Sequence, residues 1–191
     1  MRVFGLTGGI GTGKSAAAKL LAERGIPVLD TDRVAREIVE PGCPALQELA
    51  AEFGQGILDR AGSLAREKLS EIVFADQTAR RKLEAILHPR IRFVWLRQLE
   101  HWRQENRLLA VVVIPLLFET DAVSHFDATV CLACSARTQD ERLRRRGWTA
   151  VQIEQRLRAQ WPVAKKMALA DYVVWTEGGL DVHEEQLRRI I

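Results

Sequence analysis

Residues Gly8-Gly9-Ile10-Gly11-Thr12-Gly13-Lys14-Ser15 satisfy the pattern G-x-x-x-x-G-K-[ST], and no other feature restricts the fold of this chain so strongly. They stand between a short apolar run, Val3 to Leu6, and a stretch of helix formers from Ser15 to Arg24 that Gly25 ends. A loop of this kind turns backbone N–H groups inward around phosphate and aims the positive end of the following helix at it. It also places Lys14 on the β and γ oxygens and leaves the Ser15 hydroxyl to ligate Mg2+. The pattern carries weight only where a strand precedes and a helix follows, which is how a parallel α/β sheet opens. A glycine-rich turn with no ligand is the competing reading, and the Lys-Ser pair with both flanking elements argues against it.

The rest of the chain fits that opening. Pro27-Val28-Leu29 reads as a second buried strand ending at Asp30-Thr31-Asp32, followed by a helix that Pro41-Gly42 stops. From Pro44 to about Asn106 apolar residues recur at helical spacing, as in Leu46, Leu49 and Phe53 or Leu83, Ile86 and Leu87, which indicates a helical insertion. Leu108 to Ile114 is continuous and β-branched in the manner of a central parallel strand, and Pro115 ends it. Val130 to Ala133 and Tyr172 to Trp175 complete five strands, with helices expected at about 138–146, 149–158 and 181–191. The expected class is therefore α/β, a P-loop three-layer α/β/α arrangement around a parallel five-stranded sheet.

A phosphate cradle alone does not separate kinases from GTPases, motors or plain binders. The only asparagine is Asn106, so the Asn-Lys-x-Asp guanine reader cannot be assembled. The strand from Leu108 runs into Ile114-Pro115-Leu116-Leu117-Phe118-Glu119 and offers no Walker B aspartate, so magnesium has to rely on Ser15, water and a carboxylate from elsewhere. Asp30 and Asp32 answer that need from the C-terminal end of a strand, where ligands gather in parallel sheets. Asp32 is the expected general base, since an acceptor hydroxyl must be held in line and relieved of its proton. Asp30 or Thr31 can equally cap the next helix. The net charge of +3 is too small for a nucleic-acid-binding face, and no stretch approaches the ~20 apolar residues of a membrane span. The apolar run at the start is too short for a signal peptide. Three cysteines cannot pair completely, so a cytoplasmic, reducing compartment is expected, with neither nucleic acid nor membrane as partner.

With these residues in view the chain resembles the dephospho-CoA kinase family. The likeness is carried by Leu6 to Ser15, Gly25 to Asp32, Val39-Glu40-Pro41-Gly42 and Leu87-His88-Pro89. It continues through Pro115 to Glu119, Arg142 with Arg146, Gln160 with Pro162, and Ala170-Asp171-Tyr172-Val173. The resemblance implies transfer of the ATP γ-phosphate to the ribose 3′-hydroxyl of dephospho-CoA, with Mg2+ as cofactor. It implies one kinase unit over 1–191, with a core at about 1–31, 107–136 and 171–191, an acceptor-binding insertion at about 32–106 and a lid at about 137–170. ATP would lie on Gly9, Ile10, Gly11, Thr12, Gly13, Lys14, Ser15, Ala16, Arg142, Arg146 and Thr176. The acceptor would lie on Asp32, His88, Pro89, Leu117 and Glu119. Catalysis would fall to Asp32, Lys14 and Arg142, and the metal to Ser15 with Asp32 as a further ligand. The chain departs from the family where Ala16 replaces threonine and where Trp175-Thr176-Glu177-Gly178 replaces Asp-Asn-x-Gly. A monomer is expected. A nucleoside or nucleotide kinase and an ATP-binding regulatory module are the alternative readings.

Other features have plainer explanations. Cys131-Leu132-Ala133-Cys134 lacks the second pair that structural zinc needs. Read from the residues alone, His88 marks a helix boundary before Pro89. Arg144 and Arg145 suit a solvated helix face, with Glu141 and Arg145 spaced to pair. Trp95 and Trp102, two helical turns apart, suit packing.

Overall fold

The chain forms five strands and nine α-helices, and the computed structural model describes all of residues 1–191. In chain order they are β1 (Arg2–Gly8), α1 (Lys14–Glu23), β2 (Val28–Asp30), α2 (Thr31–Glu37), α3 (Pro44–Phe53), α4 (Arg66–Ala75), α5 (Gln77–Gln104), β3 (Leu109–Val113), β4 (Ala128–Ala133), α6 (Ala136–Arg145), α7 (Ala150–Arg158), α8 (Val163–Leu169), β5 (Tyr172–Trp175) and α9 (Leu180–Ile190).

All strand pairs are parallel, in the order β2-β3-β1-β4-β5. The central strands β1, β3 and β4 are buried almost throughout, which accounts for their unbroken apolar sequence. On one face, alternate residues Phe4, Leu6, Val111, Val113, Val130, Leu132 and Val174 pack with Ala17 and Leu21 of α1 and Leu187 of α9. On the other, the loop after β3 lies directly on β1: a Cβ on Gly5 would stand 2.5 Å from Leu117 Cδ1 and 2.9 Å from the Phe126 ring. Because the strands are parallel, Gly8, Asp30, Val113, Ala133 and Trp175 all finish on one edge of the sheet. That edge is where the loops of an open α/β fold build a site.

The chain divides into two compact units, Met1–Asp30 with Leu99–Ile191, and Thr31–Gln98. The first contains the sheet. The second is helical and has a core of its own, in which Val39, Ala45, Leu49, Ile57, Leu69, Val73, Ala79 and Ile86 pack together. Pro89 does not end a helix as the bare sequence suggests. It lies inside α5, a continuous run of 28 residues. A proline ring loosens the preceding turn and removes one donor, and Arg90 compensates by donating from Nη1 to the Ile86 carbonyl at 2.5 Å. No helix is long and apolar enough to cross a membrane.

Leu21 is fully buried between α1 and the sheet. Replacing it with alanine is expected to cost about 2–5 kcal/mol, read as a lower urea midpoint with the slope unchanged.

Candidate active site

The loop joining β1 to α1 has to reverse its carbonyls. If its N–H groups are to face a ligand, its C=O groups must point back into the protein, where each needs a donor. Five consecutive carbonyls find one. Lys14 Nζ donates to Gly8 O at 2.9 Å and to Gly9 O at 2.8 Å, and Thr12 Oγ1 reaches Gly9 O at 2.8 Å. Gln139 Nε2 donates to Ile10 O at 2.6 Å, Arg142 Nη1 to Gly11 O at 3.4 Å, and Thr176 Oγ1 to Thr12 O at 2.9 Å. Gly8 and Gly13 are held at φ 141° and 99°, conformations that side chains resist. At Gly8 a Cβ would also come within 2.4 Å of the Leu132 carbonyl oxygen. The first residues of α1, Lys14 and Ser15, follow directly, so the free amides of a helix start complete the cradle.

Thr176, expected beside the adenine, lies elsewhere. It is buried under the loop, with its hydroxyl on Thr12 O and 3.2 Å from Ala133 O, and it accepts from Arg142 Nη1 at 2.9 Å. Its carbonyl is taken by Arg142 Nη2 at 2.5 Å. Arg142 therefore clamps the loop from behind, bonding both to Gly11 and to the residue after β5. Arg146 lies exposed at the end of α6, and Ala16 is half-buried in α1.

Glu177 joins the same support. Its Oε1 accepts from Ser135 N at 2.9 Å and Thr138 Oγ1 at 2.8 Å, while Ser135 itself caps α6 through Thr138 N. These hydrogen bonds pull the Glu177 carboxyl down to about 2. His183 sits buried beneath, its pKa lowered by burial and then by the Arg142 charge, so the imidazole is neutral beside the guanidinium. The Arg144 and Arg145 face is solvated as expected, although the ion pairs run Arg144–Asp140 and Arg137–Glu141 rather than Glu141–Arg145.

A cleft of about 600 Å³ opens beside Gly9, walled by α6, α7 and the turn into α8. Ile153, Leu157, Trp161 and Val163 make it apolar, with Gln139, Asp140, Glu154, Arg158 and Gln160 as its polar members. Two residues expected on the acceptor are placed differently. Leu117 is fully buried against β1, a core position. Glu119 turns its Oε1 to Lys166 Nζ at 2.7 Å and to the Trp161 amide at 3.0 Å.

Asp30 closes β2, and Asp32 is exposed in the first turn of α2, two residues later. His88 is half-buried one residue before Pro89. Burial lowers its pKa, Arg92 adds to that and Glu84 opposes it, which leaves a neutral ring able to donate and accept. No cluster of three or more His, Cys, Asp or Glu side chains exists to hold a metal. A single exposed hydroxyl, Ser15, beside a phosphate cradle suits Mg2+, which keeps most of its waters and takes the remainder of its shell from phosphate. Burial pushes the Cys131 thiol up to about 11 and raises Cys134 as well, so neither is a thiolate ligand or nucleophile.

A family model described as dephospho-CoA kinase matches residues 2–181. The chain belongs to the dephospho-CoA kinase family. The dephospho-CoA kinase of Anaeromyxobacter dehalogenans is 46% identical over 179 residues, covering 93% of this chain and 85% of that one. A Thermus thermophilus protein of solved structure superposes with a TM-score of 0.81 at 32% identity, covering 99% of this chain and 95% of that one. The dephospho-CoA kinase of Campylobacter jejuni gives 0.70 at 25% identity, covering 100% and 96%. Membership makes the chain an ATP-dependent kinase of the P-loop fold and assigns the cradle to a nucleotide. Sequence reasoning missed Gln139, Lys166 and Glu177. None of the three carried a signal, since Glu177 stands at the unspecified position of the family's Asp-Asn-x-Gly.

Two outcomes test the support of the loop. Thr176→Val keeps the shape but removes donor and acceptor together, leaving Thr12 O without that donor and Arg142 with only its two carbonyl partners, and is expected to weaken ATP binding on the order of tenfold, measured by calorimetric titration. Glu177 is ionised in the fold and pulled down to about 2 from an ordinary 4.5, so its contribution is complete above about 4.5 and is lost as pH falls toward about 2. Glu177→Gln is therefore expected to flatten the acid limb of the stability curve in that window, read from urea unfolding at stepped pH.

Proposed function

We propose that the chain transfers the γ-phosphate of ATP to the ribose 3′-hydroxyl of dephospho-CoA, giving coenzyme A and ADP, the last step of coenzyme A synthesis. The observation that carries this is the completed phosphate cradle, every carbonyl from Gly8 to Thr12 satisfied from behind, in a member of that family. Lys14 neutralises β- and γ-phosphate oxygens, and the amides of residues 9–16 take the remaining charge. Ser15 would hold Mg2+, which would supply charge neutralisation for the transfer. Asp32 accepts the proton of the acceptor hydroxyl as its oxygen bonds to the γ-phosphorus and the bond to the β-phosphate oxygen breaks. Arg142 contributes from behind the loop, its charge fixed by Gly11 and Thr176. His88 and Pro89 serve the acceptor. The same reading makes ATP and dephospho-CoA the small-molecule substrates. It makes the cytoplasm, where thiols such as the three free cysteines stay reduced, the compartment.

Incubation with MgATP and dephospho-CoA is expected to yield coenzyme A, with nucleosides and nucleotides giving little product at the same concentration. An acceptor preference the other way round overturns the assignment. Asp32→Asn is expected to lower kcat on the order of 10² to 10⁴ and to leave ATP affinity nearly unchanged. Parallel loss of both makes Asp32 a structural residue.

A further inference from the structure

Lys166, in the middle of α8, is fully buried. Its ammonium donates to the Pro115 carbonyl at 2.6 Å and pairs with Glu119 Oε1 at 2.7 Å. That same oxygen accepts the Trp161 amide at 3.0 Å, and Thr7 Oγ1 meets the Pro115 carbonyl at 3.2 Å. One charge pair thus joins four segments: α8, the turn that enters it, the loop after β3, and the last residues of β1 before the phosphate loop.

A buried pair is a weak source of stability, and Glu119 Oε2 is buried with no partner. The pair makes better sense as a device that fixes position. What it fixes is the wall of the cleft beside Gly9. Trp161 donates its amide to Glu119, and Val163, the first residue of α8, has its Cβ 3.8 Å from the point where a Cβ on Gly9 would stand. Gly9 marks the γ end of the loop, because Lys14 rests its ammonium on the Gly8 and Gly9 carbonyls while Ser15 and α1 lie at the other end.

We propose that Lys166, held by Glu119, is a positioning residue for phosphoryl transfer: it sets the Trp161–Val163 wall over the γ-phosphate end of the loop, where the acceptor hydroxyl is aligned and water is kept out. The acceptor's identity rests on the function proposed above, but the exclusion of water does not.

Removing Lys166 alone would strand the Glu119 charge, so the test variant is Lys166→Met with Glu119→Gln, which removes both charges and keeps an acceptor for Trp161. Folding is checked by circular dichroism and thermal melting, and kinetics are measured well below the midpoint. The expected result is a fall in kcat on the order of tenfold or more, since small misplacements at a reacting centre are costly. The KM for ATP should stay within about threefold, and the ratio of acceptor-free ATP hydrolysis to transfer should rise. A lower melting midpoint with kcat and that ratio both unchanged overturns the proposal and leaves the pair a brace for the fold. Should the double variant melt below the assay temperature, Trp161→Ala, which leaves the buried pair intact and removes the side chain that it positions, is read by the same criteria. If the wild-type protein makes no coenzyme A, the acceptor assignment falls while the hydrolysis readout still decides the role of Lys166.

Discussion

A loop that presents its amides to phosphate must bury its carbonyls, and in this protein that constraint organises everything around the sheet edge. An unpaired carbonyl inside a protein costs about 1–3 kcal/mol. Five of them left without donors would cost about as much as the margin by which most domains are stable. The chain meets the requirement with donors from three places: Lys14 and Thr12 within the loop, Gln139 and Arg142 from α6, and Thr176 from the end of β5. The cradle is thus set before a ligand arrives, and binding does not have to supply the ordering.

This arrangement determines what neighbouring segments can do. Gln139 and Arg142 are three residues apart, so both fall on one face of α6, and that face is turned to the loop. The start of α6 is fixed in turn by Ser135 and Glu177, and β5 is tied to β4 where Thr176 N donates to Ala133 O at 2.8 Å. The region expected to behave as a lid therefore begins with a helix that is part of the phosphate site. α8 is anchored too, through Lys166. Between them α7 buries only Ile153, and its capping box, Thr149 with Gln152, is local to itself. α7 is bounded by Gly147 at φ 83° and by Pro162.

What the sequence discloses follows from how far apart the interacting groups are along the chain. The loop is legible because its chemistry is local: glycines, lysine and serine act within eight residues, between a strand and a helix whose patterns are themselves local. The five strands are legible for a related reason, since burial on both faces leaves runs of Val, Ile and Leu. Gln139, Thr176 and Lys166 are not, because they act on partners 129, 164 and 51 residues away. Nothing in the neighbourhood of a lysine in Val163-Ala164-Lys165-Lys166 separates the fully buried Lys166 from the exposed Lys165. Leu117 was misjudged because its sequence neighbours suggested a site while its own packing against Gly5 depends on strand register. Pro89 was misjudged because local propensity ends helices at proline, whereas Arg90 and the flanking apolar face carry α5 through it.

The substitutions that separate this chain from its family's pattern look at first like a loss of nucleotide contacts, and the hydrogen bonds argue otherwise. A threonine hydroxyl can donate one bond and accept others. At Thr176 it donates to the loop and accepts from Arg142, so one small group couples the clamp to the cradle. With the hydroxyl and the carbonyl both engaged, Thr176 has nothing left with which to read a base. Glu177, the next residue, is likewise spent on the start of α6. These two positions therefore bear on the loop and its support. They determine how firmly the loop keeps its carbonyls turned away, and so how completely its amides remain available.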